Sequence, residues 1–108
     1  MKFKEQLYLL IFLISTQFIT AQIIGKITAA EDNYPLEYAT SALYESNTKK
    51  LITGVVTKKD GRFSIPEIKP GTYYLIASFI GYQSNKIEFI VVNKKQEKKD
   101  LGILKLEL

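Results

Sequence analysis

The sequence predicts an all-β domain, a sandwich of seven strands, and three observations carry that reading. After Gln22 the apolar residues recur mainly at every second position, turn residues interrupt them at short and fairly regular intervals, and no stretch shows helical spacing. Alternation with one buried face calls for two sheets packed face to face, read here as antiparallel ribbons.

The elements follow in chain order. Lys2 and Lys4 precede an apolar run from Leu7 to Ile14, followed by polar residues and then Ala21. That is the layout of a secretory signal peptide, because eight apolar residues fall well short of the ~20 that a membrane-spanning helix needs. Residues 1–21 are read as the leader and 22–108 as one domain. Losing Lys2, Lys4 and Glu5 takes the net charge from +4 to +3. The first strand is Ile23–Thr28, closed by Glu31, Asp32, Asn33 and Pro35. A second runs from Leu36 to Glu45, with Ala39, Ser41 and Leu43 on one face. The third, Leu51–Thr57, meets a fourth, Arg62–Ile65, through Asp60-Gly61, a pairing that marks a hairpin because glycine accepts positive φ. Pro66 cannot donate to a ladder, so the fourth strand is expected to be short or to lie at an edge.

Pro70 and Gly71 open a fifth strand, Thr72–Ile80, that is largely apolar at both parities: Tyr73, Leu75, Ala77 and Phe79 against Tyr74, Ile76, Ser78 and Ile80. This predicts a central strand whose second face is also covered, by a sheet, a loop or a neighbouring domain. Gly81 breaks the run. The sixth strand, Asn85–Val92, is read with Ile87, Phe89 and Val91 inward, and the seventh, Leu101–Leu108, with Leu104, Leu106 and Leu108 on one face. The charged run Asn93–Asp100 between them reads as a solvated hairpin loop that also discourages edge pairing.

Composition excludes much chemistry. The chain holds no His and no Cys. It therefore lacks a Ser-His-Asp or Cys-His pair, the usual zinc ligands and any disulfide, and its fold must rest on apolar packing. No catalytic residue, metal ligand or cofactor site is assigned. Glu31-Asp32 and Asp60-Gly61 read as turn chemistry, because a calcium loop needs more oxygen ligands at fixed offsets. The small, scattered positive charge gives no reason to expect nucleic acid. An isopeptide between Lys26 and Asn93 would need a buried acid, which nothing in the sequence indicates. Tyr73, Tyr74 and Tyr82 are the candidate interaction surface, for stacking on a glycan or docking a peptide, with packing in the core or at the sheet rim as the plainer role.

Taken in order, Gly25-x-Ile27, Pro35-Leu36-Glu37-Tyr38-Ala39-Thr40, Thr53-Gly54-Val55-Val56-Thr57, Asp60-Gly61-Arg62-Phe63, Pro70-Gly71-x-Tyr73-x-Leu75, Phe79-Ile80-Gly81-Tyr82 and Leu101-Gly102-x-Leu104-x-Leu106 resemble the carboxypeptidase regulatory-like domain. The form they resemble is the one that follows the signal peptide in TonB-dependent outer-membrane receptors of Bacteroidetes-type bacteria. The resemblance implies a transthyretin-like (prealbumin-like) Greek-key sandwich without peptidase activity, on the periplasmic side of the outer membrane. Its implied partners are the receptor's plug and barrel or another periplasmic protein. Lys58 and Ser41 depart from the family's habit of an acid and an apolar residue at those places. A barrel cannot be built from this chain alone, since even eight strands of ~10 residues exceed what the sandwich leaves over. A free-standing exported glycan- or peptide-binding protein is the alternative.

Overall fold

The computed structural model describes residues 20–95 and 97–108; the leader assigned to residues 1–21 lies outside the described residues up to position 19. Among the described residues there are seven strands: β1 (Ala21–Ala29), β2 (Thr40–Glu45), β3 (Leu51–Val56), β4 (Arg62–Ile68), β5 (Gly71–Ser78), β6 (Asn85–Val92) and β7 (Lys98–Leu106). They form two sheets, ordered β4-β1-β7 and β3-β2-β5-β6. The alternating residues of both sheets meet in one core in which Ile23, Ile27, Leu43, Ile65, Leu75 and Leu106 are fully buried. Each such side chain contributes roughly 1.5–3 kcal/mol, which is how a chain without staples stays folded. The predicted all-β sandwich of seven strands is the fold observed.

Several local expectations change. β1 and β7 pair in parallel, not antiparallel, since the chain reaches β7 by crossing over from β6 in the other sheet. The Asp60-Gly61 turn is not a hairpin within one sheet: β3 belongs to one sheet and β4 to the other, so the turn is a corner between layers. Its local chemistry is as expected, with Gly61 at φ 81 and Asp60 Oδ1 accepting from the Arg62 N–H. The charged run after β6 is likewise a crossing between sheets, and Lys98, Lys99 and Asp100 belong to β7. β4 does lie at an edge, yet it continues past Pro66 to Ile68 through a bulge, Glu67 taking φ 59. β2 begins at Thr40, not Leu36, because Tyr38 at φ 63 breaks the extended run before it. β7 ends at Leu106 and leaves Leu108 exposed.

The largest change of face is in β6. Leu75 pairs with Ile87 but Tyr73 pairs with Ile90, so β6 carries one extra residue, and Phe89 sits there at φ 58. A bulge of one residue reverses the parity beyond it. Ile90 and Val92 therefore point into the core, while Phe89, 81% exposed, and Val91 face outward. β5 is an interior strand, as expected, and Tyr73, Leu75 and Ala77 are buried. Its other face is not covered by a further layer among the described residues. Tyr74, Ile76 and Ser78 are half-buried there by neighbouring strands alone.

Two positions show close fitting. Gly25 pairs with Phe63, whose ring lies over it; an added Cβ would stand 2.6 Å from a ring carbon. Ser41 is completely buried on the inner face of β2, and its hydroxyl has no hydrogen-bond partner among the described residues. Burying an unpaired hydroxyl costs free energy that a methyl does not. Ser41→Ala is therefore expected to raise stability by about 1 kcal/mol, read as a higher urea midpoint with an unchanged slope.

Candidate functional site

The three tyrosines singled out above occupy three environments and do not form one surface. Tyr73 points inward from β5, and its hydroxyl donates to the Lys69 carbonyl at 2.6 Å. Burial, and then the carboxylate of Glu45 opposite on β2, raise its pKa above the ordinary 10.0. Because the unfolded chain ionises first, stability is intact below the ordinary value and falls as pH rises through and beyond it. Tyr73→Phe should remove that alkaline loss, seen by comparing urea melts at about pH 8 and about pH 11.

Tyr74 projects from the opposite face of the same strand. Its ring stacks on Tyr44 of β2 with centroids 4.9 Å apart and planes 8° from parallel, and Lys86 Nζ of β6 lies 4.6 Å from the Tyr74 ring centre. The stack follows from register, since Tyr44 and Tyr74 are directly paired across the strands. A cation over an aromatic face adds roughly 0.5–1 kcal/mol at such an exposed site. The result is a flat aromatic platform on the open face of the four-stranded sheet.

Tyr82 belongs to the far end of that sheet, beyond Gly81. Its ring packs at 44° against Phe79, centroids 5.8 Å apart, and the Tyr82 N–H bonds the Phe79 carbonyl at 3.0 Å. Tyr38, Thr40, Ser78, Phe79, Ile80 and Tyr82 line an open cleft of about 550 Å³ there. Ile80 is 90% exposed. Tyr38 and Ile80 were missed in the sequence because strand alternation assigns each a place on a face, whereas positive φ at Tyr38 turns its ring out of the strand.

A second hollow, of about 400 Å³, lies along the three-stranded sheet, where Ile24, Lys26, Arg62, Asp100 and Ile103 contribute to the wall. Arg62 leans toward Asp60, 3.6 Å away, and Asp100 Oδ1 accepts from the Gly102 N–H at 2.8 Å. Asp60 thus serves a turn and Asp100 the bulge within β7. Asp32 also serves a turn, accepting from the Tyr34 N–H at 3.1 Å. Among the described residues no three Asp or Glu side chains gather where they could hold a metal. Lys26 lies on the central strand β1, and Asn93 lies just beyond the edge strand β6 of the other sheet. No helix among the described residues is long and apolar enough to cross a membrane.

Known proteins place this fold. Three solved structures share it: the pilus 2b backbone protein of group B streptococcus (20% identity, TM-score 0.57, covering 82% of this chain and 41% of that one), the major pilin subunit BcpA of Bacillus cereus (11%, 0.65, covering 81% and 30%) and the 5-hydroxyisourate hydrolase of Klebsiella pneumoniae (17%, 0.59, covering 85% and 91%). At these identities the likeness is one of fold. The chain spans less than half the length of either pilin. No curated protein sequence matches it. The CarboxypepD_reg-like domain, a non-catalytic sandwich module, matches residues 23–107, from the second residue of the predicted domain to the end of β7 and one residue past it, and the chain belongs to that family.

Proposed function

We propose that this chain is a non-catalytic interaction module, exported to the periplasmic side of the outer membrane, where it forms the N-terminal extension of a TonB-dependent receptor. The observation that carries the reading is placement. The matched region begins at residue 23, directly behind a leader-like segment, and occupies the whole of the sandwich. The chain has neither His nor Cys, and Asp32 and Asp60 are engaged in turns and Asp100 in the bulge of β7, which supports a role in binding over one in bond chemistry. The partner in this reading is the receptor's own plug and barrel or another periplasmic protein.

Two measurements test it. Genomic DNA beyond the codon for Leu108 should read, in some frame, into a plug-and-barrel sequence, and the N-terminal residue of the protein recovered from cells should be Gln22. An intact initiator Met1 on that protein would end the export reading. An isolated gene with no receptor sequence beyond it would instead favour the free-standing binding protein. The cleft beside Tyr82 supports that second reading, because aromatic rings with Thr and Ser hydroxyls suit a glycan or an extended peptide. Saturable binding on a glycan array, lost in Tyr82→Ala or Tyr74→Ala with the β-sheet spectrum intact, would establish it.

A further inference from the structure

Among the described residues four strands have one neighbour each: β4 and β7 in one sheet, β3 and β6 in the other. Edge strands invite pairing with foreign chains, and proteins usually blunt them with proline, charge or bulges. Three of the four edges are blunted here. β4 has Pro66 and the bulge at Glu67; β6 has Lys86, Glu88 and the bulge at Phe89; β7 has Lys98, Lys99, Asp100 and Lys105, with Gly102 at φ 74. β3 is different. Leu51–Val56 contains no proline and no charged residue, and its one irregularity, the extra residue Ile52 opposite the Leu43–Tyr44 step, lies at its beginning.

The backbone of β3 is also aimed correctly. The Thr57 N–H donates to the Ala39 carbonyl and the Thr57 carbonyl accepts from the Tyr38 N–H, so both Thr57 groups face the β2 side. Since strand residues alternate in this respect, the N–H and C=O of Val56 and Gly54 face away from β2, toward the open edge. The side chains beside them are apolar and accessible: Leu51 is 54%, Ile52 42% and Val56 57% exposed.

Charge selects the occupant. Lys49 and Lys50 stand at one end of β3 and Lys58 and Lys59 at the other, all four exposed. Glu45 and Asp60 offset only part of this, and Asp60 leans toward Arg62. A second copy pairing through β3 would set lysines against lysines at both ends, whether the two strands ran parallel or antiparallel. Like charges placed opposite each other are destabilising. We propose that β3 is a strand-addition site for an extended segment of another protein, apolar at alternate positions and acidic at both ends. This deepens the interaction role proposed above and rests on it only in supposing that a protein partner exists.

The probe is a synthetic peptide with an alternating Val-Thr centre of six residues, ended on each side by two Asp, with a Lys-ended counterpart, each titrated into the full chain. The acidic-ended peptide should bind, slow hydrogen exchange at the Gly54 and Val56 amides, and weaken as salt is raised; the Lys-ended peptide should bind about tenfold less tightly or worse. Val56→Pro removes an outward donor and no bond to β2, so it should abolish binding with the fold intact. Reversing all four end charges, with K49E, K50E, K58E and K59E together, should reverse the preference between the two peptides, which loss of folding could not do. Equal binding of both peptides, no protection of Gly54 and Val56, or self-association removed by Val56→Pro would each overturn the proposal. Such a result beside receptor-coding DNA downstream would remove β3 from the interface while leaving the proposed role standing.

Discussion

Replacing Gly61 with alanine is expected to lower stability by about 4 kcal/mol, a large share of the 5–15 kcal/mol typical of a small domain. Two costs combine. At φ 81 an L-residue meets a backbone penalty of roughly 1–2 kcal/mol. The added Cβ would also stand 2.6 Å from the Ile27 carbonyl oxygen and 3.1 Å from the Pro35 side chain. That carbonyl cannot yield without loss, because it accepts from the Leu36 N–H at 3.0 Å, while the Ile27 N–H donates to the Gly61 carbonyl at 2.8 Å. Gly81→Ala separates the two costs. Gly81 has a similar φ of 84 but nothing within 4 Å of an added Cβ, so only the backbone penalty, about 1–2 kcal/mol, should appear. Equal urea midpoints for the two variants would show that the corner at Gly61 is not tightly closed.

Thr57→Val should cost about 3 kcal/mol, although it keeps the shape of the side chain. The buried Thr57 hydroxyl donates to the Leu36 carbonyl and accepts from the Ala39 N–H at 2.9 Å, pinning the segment that leads into β2 against the end of β3. Valine leaves both backbone groups buried and unpaired. Thr57→Ser restores the two bonds and should lose only about 1 kcal/mol for its missing methyl. A valine variant as stable as the serine one would remove the pin from the account of this fold.

Both predictions concern residues whose role was only partly visible in the sequence. Asp60-Gly61 announced a turn, because the αL requirement is local. That the turn joins two sheets depends on β4 pairing with β1, a partner far away in sequence. The inner faces of β2 and β5 were legible because each runs in regular alternation: Ser41 and Leu43, with Ala39 just before them, then Tyr73, Leu75 and Ala77, are all buried. β6 was legible as a strand and not as a face. One residue at positive φ, Phe89, reverses everything after it, and phenylalanine carries no local mark of that conformation. The tyrosines show the same limit. Adjacent positions on a strand necessarily face opposite ways, which separates Tyr73 from Tyr74, whereas the cleft beside Tyr82 includes Tyr38 from a segment some forty residues earlier.

The seating of β7 alongside β1 sets the tempo at which this molecule can form. Gln22 pairs with Lys98, 76 positions further on (98 minus 22), so β1 gains its second neighbour only once β7 is available. Contacts this distant in sequence place such topologies at the slow end, in milliseconds to seconds. A nascent chain therefore cannot complete the three-stranded sheet until β7 has been made, however early β1 and β4 meet.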